Sequence, residues 1–121
     1  MVKPFPAMQC TEKHESDATI LNLTGEVDLA HSPELRKILQ EKVKAKCMAL
    51  IIDFSAVDYI DSSGLATLVE YRRDSQKYGG QFSLASLSTR VRTIFELVRL
   101  NEIIPIHDSL ADALAAVKSK P

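Results

Sequence analysis

The N-terminal third of the chain alternates apolar and polar stretches in a way that predicts a β-hairpin followed by a helix. Met8 to His14 and Thr19 to Thr24 are strand candidates around the polar turn Glu15-Ser16-Asp17, and the second strand is expected to end at Gly25. Ser32-Pro33-Glu34 then predicts a helix start with a capping hydroxyl, a proline and an acid in the first turn. The buried stripe of this helix would be Leu35, Ile38, Leu39 and Val43.

The middle of the chain predicts a central strand and a second helix. Met48 to Phe54 is nearly all apolar, as in a strand that is covered on both faces. An acidic loop is expected after this strand, and Leu65, Leu68 and Val69 then follow at helical spacing. Gly79-Gly80 would end the helix, because glycine readily adopts the left-handed conformation that is common just past a helix C-terminus.

The C-terminal third predicts two further strands and two further helices. Gln81 to Ala85 is a strand, and Ile103 to Ile106 is a short edge strand because it contains a proline. Ser86 or Ser88 can cap the helix between them, and Asp108 or Ser109 can start the last one. The apolar positions of these two helices are Val91, Ile94, Phe95 and Val98, and Leu110, Leu114 and Val117. Strands that alternate with helices predict an α/β fold with one layer of mixed or largely parallel sheet.

The composition is typical of one domain and excludes several classes of partner. The chain has 121 residues and a formal net charge of -1, so it lacks the basic field that nucleic acid or anionic lipid would require. No apolar run approaches the roughly 20 residues of a membrane-spanning helix, and no export signal is present, so we expect neither export nor membrane insertion. Cys10 and Cys47 lie far apart in sequence, which favours a reduced, cytoplasmic protein.

The sequence offers little support for catalysis. His14, His31 and His107 lie in different predicted elements, and neither cysteine has the spacing of metal ligands. Ser62 lacks the glycine two positions earlier that a nucleophile elbow has, and no histidine is placed as its base. We therefore expect no enzyme activity, no metal and no cofactor.

The main candidate site is Asp61-Ser62-Ser63-Gly64, at the junction of a strand and a helix. Unpaired amides and the helix dipole make this a place where a serine can carry a phosphate. The simpler interpretation is helix capping alone, which is typically worth about 1 kcal/mol. Two features exceed what a cap needs: a second hydroxyl, and a glycine that costs up to roughly 1 kcal/mol relative to alanine. Such a glycine permits close approach by another backbone or protein.

A second acidic cluster, Gly25-Glu26-Val27-Asp28, would by itself indicate a solvated turn. Together with Ile51-Ile52-Asp53-Phe54 and Asp61-Ser62-Ser63-Gly64-Leu65, however, it resembles the STAS domain of bacterial anti-sigma factor antagonists. The resemblance covers nearly the whole chain. It implies a single STAS-like α/β domain over residues 1–121, with a central mixed, mostly parallel sheet of about five strands and about four helices.

The resemblance also implies a switch. The unphosphorylated protein would bind a serine kinase that is also an anti-sigma factor, and so release the sigma factor. Phosphorylation of Ser62 would end this binding, and a phosphoserine phosphatase would reset it. The implied partner-binding residues are Asp28, Asp61, Ser63, Gly64 and Leu65. The kinase would supply ATP and magnesium, so the chain itself needs no cofactor, and we expect a monomer with one interaction face.

Two other functions stay open at this point. STAS-like chains also serve as subunits of lipid-transporting ABC systems, in which they dock on the ATPase and the serine need not be phosphorylated. The intact Asp-Ser-Ser-Gly motif favours the antagonist. A hydrolase or nucleotide-binding enzyme on the same sheet is a third possibility, but no residue of the chain points to one.

Overall fold

A computed structural model describes residues 8–118, which form a mixed sheet with helices on both faces. The strands are β1 (Gln9–Glu15), β2 (Ala18–Val27), β3 (Ala49–Ile60), β4 (Gln81–Ala85) and β5 (Ile106–His107). The helices are α1 (Ser32–Lys44), α2 (Ser62–Gln76), α3 (Thr89–Leu97) and α4 (Leu110–Lys118), and Leu100–Glu102 is a 3-10 turn. The strand order is β1-β2-β3-β4-β5, with β1 antiparallel to β2 and the other pairs parallel. The predicted fold class is therefore confirmed.

The sheet separates two apolar cores. On one face, α1, α2 and α3 cover Leu50, Ile52 and Phe54 of β3, and the ring of Phe54 meets Phe95 of α3 edge to face at 6.1 Å. On the other face, α4 packs against Ile51. Because successive residues of a strand point to opposite faces, a strand buried on both sides must be apolar throughout. The continuous apolar run of β3 follows from its central position.

Both β2 and β3 run further than the sequence predicts. β2 passes through Gly25 and ends at Val27, and β3 continues through the expected acidic loop to Ile60. Each strand supplies the pairing partner of the other up to these last residues. The register shifts twice along the pair, and Gly25 has a φ of 91°, which glycine adopts without strain. Gly25 thus marks an irregularity within β2, and the prediction of a strand end there was wrong.

The predicted helix starts are correct in position, but one has a different cap. Ser32 is the first residue of α1 and is buried, and His31 stands at the capping position without a side-chain hydrogen bond. The α3 cap is Ser88, which accepts a hydrogen bond from Val91 N at 3.2 Å. Ser109 accepts one from Asp112 N at 3.1 Å, at the start of α4.

The prediction for the edge strand was mostly wrong. Only Ile106–His107 pair with β4, and residues 103–105, between the 3-10 turn and β5, are in no strand. Proline has no N–H to give to a neighbouring strand, although the Pro105 carbonyl still accepts from Leu84 N at 2.9 Å. Met48 and Val98, which were predicted within apolar patterns, are exposed because they lie just outside β3 and α3.

Candidate functional site

The two acidic motifs of the sequence meet at the edge of the sheet where the parallel strands end. β2 and β3 lie side by side up to Val27 and Ile60, which are partners in the sheet. The amide of Asp61 then donates to the Val27 carbonyl at 3.1 Å. The start of α2 and the loop between β2 and α1 are therefore adjacent, although they are distant in sequence.

One carboxylate joins these two segments. Asp61 is the N-cap of α2, and its Oδ1 accepts from Ser63 N at 3.0 Å, from Gly64 N at 3.2 Å and from Ser63 Oγ at 2.5 Å. Its Oδ2 accepts from the amide of Leu29 at 3.0 Å. Asp61 thus satisfies free amides of the first helical turn and also holds the β2–α1 loop against α2.

These hydrogen bonds keep Asp61 ionised. Partial burial raises the pKa of Asp61, but the Ser63 hydroxyl and the amides of Gly64, Ser63 and Leu29 favour the carboxylate, and the resulting pKa is below its usual range. The site therefore holds a fixed negative charge directly before Ser62.

The two consecutive serines have different surroundings. Ser62 is exposed, and within the described chain its hydroxyl has no hydrogen-bond partner. Ser63 is half-buried and its hydroxyl is committed to Asp61, while its carbonyl accepts from Thr67 Oγ1 at 2.9 Å. A protein that approaches this surface thus finds the Ser62 hydroxyl accessible and the Ser63 hydroxyl already bonded.

Gly64 has a packing role inside the protein. A Cβ at this position would lie 2.7 Å from Ile60 Cγ1, 2.8 Å from the Val27 carbonyl oxygen and 2.9 Å from Val27 Cγ1. The close approach that the sequence analysis expected is therefore made by the chain's own β2 backbone. Leu65, the next predicted site residue, is half-buried and packs against the core.

Asp28 organises the loop after β2. Its carboxylate accepts from the amide of His31 at 3.1 Å and also lies 2.7 Å from the Nδ1 atom of the same histidine. The Asp28 carbonyl accepts from Ser32 N at 2.8 Å, at the start of α1. Asp28 thus shapes the turn that carries Leu29.

Sequence reasoning missed two apolar residues at this edge. Leu29 is 74% exposed although its backbone is tied down by Asp61, and Tyr59 is 37% exposed near the end of β3. The available signal was a leucine directly after Asp28, in the short segment between a predicted strand and a predicted helix. Both side chains are therefore available to contact a protein that docks at this edge. We define the Ser62 surface as Asp28, Leu29, Tyr59, Asp61 and Ser62.

Over residues 8–118, no three His, Cys, Asp or Glu side chains are grouped as metal ligands would be. The histidine of the neighbouring loop, His31, contacts the Asp28 carboxylate through its Nδ1 atom. The same part of the chain contains no helix long and apolar enough to cross a bilayer.

Known proteins are similar to this chain in sequence and in fold. The anti-sigma-B factor antagonist of Bacillus subtilis is 33% identical over 95 residues, which cover 78% of this chain and 85% of that protein. The anti-sigma F factor antagonist of Paenibacillus polymyxa is 26% identical over 113 residues, or 92% of this chain and 96% of that protein. The crystal structure of an anti-sigma factor antagonist from Mycobacterium paratuberculosis has a TM-score of 0.86 and 26% identity, and the match covers 93% of this chain and 96% of that one. The family model of the STAS domain matches residues 9–113, and the chain therefore belongs to the STAS domain family.

Proposed function

We propose that this protein is an anti-sigma factor antagonist. Its unphosphorylated form binds an anti-sigma factor serine kinase in the cytoplasm and releases the sigma factor, and phosphorylation of Ser62 ends the binding. The observation that carries the proposal is the exposed, unbonded Ser62 hydroxyl at the start of α2, beside the exposed Leu29. The names of the relatives support it. In this role the chain, acting as one domain, is a binding protein and a kinase substrate, and a phosphoserine phosphatase reverses the switch.

The residues around Ser62 have separate roles in this proposal. Asp61, with its hydrogen bonds to Ser63 and Gly64, holds the start of α2 in one conformation. Asp28 and Asp61 also fix the loop that presents Leu29 to the partner. The preformed backbone lowers the entropy that binding has to overcome.

Phosphorylation would act on binding much more than on folding. A phosphate adds roughly -1.5 to -2 charges at neutral pH, and the positive end of α2 tolerates them in the free protein. Asp61 already occupies the amides of Ser63 and Gly64, so the phosphate would stay in solvent. In a complex it would lie beside the Asp61 carboxylate at a surface that has lost water, where the uncompensated charge is costly.

The proposal predicts different effects of two substitutions at Ser62. Ser62→Asp should weaken retention of the kinase by about tenfold or more, which corresponds to about 1.4 kcal/mol, while Ser62→Ala should keep it. The measurement is affinity co-purification from the native cytoplasm, with partners identified by mass spectrometry and the unfolding of both variants compared. Equal retention of an ATP-binding kinase by Ser62→Asp and wild type would contradict the switch. Recovery of a transporter ATPase with all forms would instead assign the chain to a lipid-transport system.

A second prediction concerns the apolar anchor. Leu29→Ala should weaken kinase binding by about tenfold, because truncation of a residue at the centre of a protein interface can cost more than about 1 kcal/mol. Leu97→Ala is the matched control, since Leu97 is 78% exposed but lies at the C-terminal end of α3. Titration of the purified kinase by calorimetry would measure both affinities. Equal affinities of the two variants would show that Leu29 does not contribute to kinase binding.

A further inference from the structure

A cavity of about 250 Å³ lies at the opposite end of α2 from Ser62, where β4 begins. It exists because β5 is very short. Only Leu84 and Ala85 of β4 pair with β5, so residues 81–83 have no neighbouring strand on that side. Ser62 and Gln76 are the first and last residues of α2, and Gln76 lines the cavity. Because a helix rises about 1.5 Å per residue, the cavity is roughly 20 Å from Ser62.

The floor of the cavity is an unpaired strand edge. Gln81 N donates to the Met48 carbonyl at 2.8 Å, toward β3, whereas Leu84 N donates to the Pro105 carbonyl, toward β5. Because backbone groups of successive residues in a strand point in opposite directions, the N–H and C=O of Phe82 point away from β3 into the cavity. No backbone partner for Phe82 occurs on this side within residues 8–118. Pro105, which faces this edge, has no N–H to offer.

The two walls of the cavity differ in chemistry. Phe82 faces the α2 side, where it packs on Tyr71, and that wall contributes Arg72, Ser75 and Gln76. Gln81 and Ser83 pair with Ala49 and Ile51 and so face the α4 side. That wall contributes the small apolar side chains of Ala113, Ala116 and Val117.

Arg72 supplies the charge in the cavity. Its Nε donates to the Ile103 carbonyl at 2.8 Å, and the guanidinium forms no ion pair with any described carboxylate. An arginine can still donate through its terminal nitrogens, and a carboxylate is its best acceptor. The α2 wall therefore favours an acidic side chain.

We propose that this cavity binds an extended, acidic segment of a partner protein, which adds as a strand beside residues 81–83 of β4. Exposed strand edges bind peptides through main-chain hydrogen bonds, and alternate side-chain pockets give specificity. One acidic side chain of the segment points toward Arg72, and the residues on either side of it are apolar and point toward α4. This site is separate from the Ser62 surface and does not depend on the proposed switch.

A peptide titration of the ¹⁵N-labelled full chain tests the proposal by NMR. The probe is acetyl-Thr-Val-Glu-Val-Thr-amide, and the control peptide has lysine in place of glutamate. We expect saturable shifts of the amides of residues 80–83 and of Arg72 Nε, with affinity for the lysine peptide lower by about tenfold or more. Absence of saturable shifts, equal binding of the lysine peptide, or shifts confined to the start of α2 would overturn the proposal.

Three further controls examine the geometry and the specificity of binding. In a strand, alternate amides face the neighbouring strand, so we expect N-methylation of one alternate set of peptide amides to abolish binding and methylation of the other set to preserve it. Loss of binding with both sets, or with neither, would overturn strand addition. Sodium acetate that produced the same shifts at the same affinity would also overturn it. The variant Ser62→Asp should bind the peptide like wild type, which keeps this result independent of the switch.

Discussion

Replacing Gly64 by alanine is expected to lower the free energy of unfolding by about 2 kcal/mol. The added Cβ would lie under 3 Å from the Val27 carbonyl and from the side chains of Ile60 and Val27. The carbonyl oxygen belongs to the β2 backbone, which is held in the sheet by pairing with β3, so it cannot move aside cheaply. Overpacking of this kind typically costs about 1–3 kcal/mol, and three contacts under 3 Å place Gly64 at the upper end, from which the higher helix propensity of alanine subtracts up to roughly 1 kcal/mol. The start of α2 would have to move away from β2.

Urea unfolding followed by circular dichroism measures this loss, and Gly79→Ala is the matched control. Gly79 has a φ of 81°, but a Cβ there would meet nothing within 4 Å. The control therefore carries only the left-handed backbone penalty, about 1 kcal/mol. If Gly64→Ala instead raised the stability by the roughly 1 kcal/mol that alanine gains over glycine in a helix, the close contact with Val27 would have no energetic weight.

Replacing Asp61 by alanine is the second change with a large expected effect, a loss of about 2–3 kcal/mol. The substitution removes the cap of α2 and leaves the amide of Leu29 without its acceptor. Loss of a cap typically costs about 1 kcal/mol, and hydrogen bonds to a charged group contribute roughly 1.5–3 kcal/mol. Asp61→Asn separates the two roles, because its one carbonyl oxygen can still cap the helix while its amide nitrogen cannot accept from Leu29. We expect asparagine to lose about half as much as alanine.

The dependence of these differences on pH tests the charge of Asp61. Its pKa is lower in the folded protein than the ordinary aspartate value of about 4, so folding favours the ionised form. This stabilisation is fully present above the ordinary value and is lost as the pH falls through the lower, folded pKa. The stability difference between wild type and Asp61→Asn should therefore shrink as the pH falls below about 4. A difference that stayed constant from neutral to acid pH would contradict an ionised cap.

Local patterns in the sequence predicted most of the fold correctly. The apolar run of β3, the caps at Ser88 and Ser109 and the glycine after α2 are signals that act within a few residues, and all are found as expected. The failures occur where distant segments meet. β2 extends past Gly25 because β3 provides partners there, and the strand expected before Ile106 is absent because Pro105 has no N–H to donate to β4.

The same distinction applies to the candidate site: some of its features follow from neighbouring residues, and others follow from the fold. By itself, the sequence determined the α/β class, the Asp-Ser-Ser-Gly motif at a helix start and the resemblance to STAS domains, because periodicity, caps and motifs are properties of neighbouring residues. It contained no local signal that Asp61 would bond to Leu29, an amide 32 positions away. That contact follows from the register of β2 on β3. Only the tertiary structure decided three features: the bond from Leu29 to Asp61, the tight packing at Gly64 and the unpaired edge of β4. Each depends on atoms that the fold brings together from distant parts of the chain.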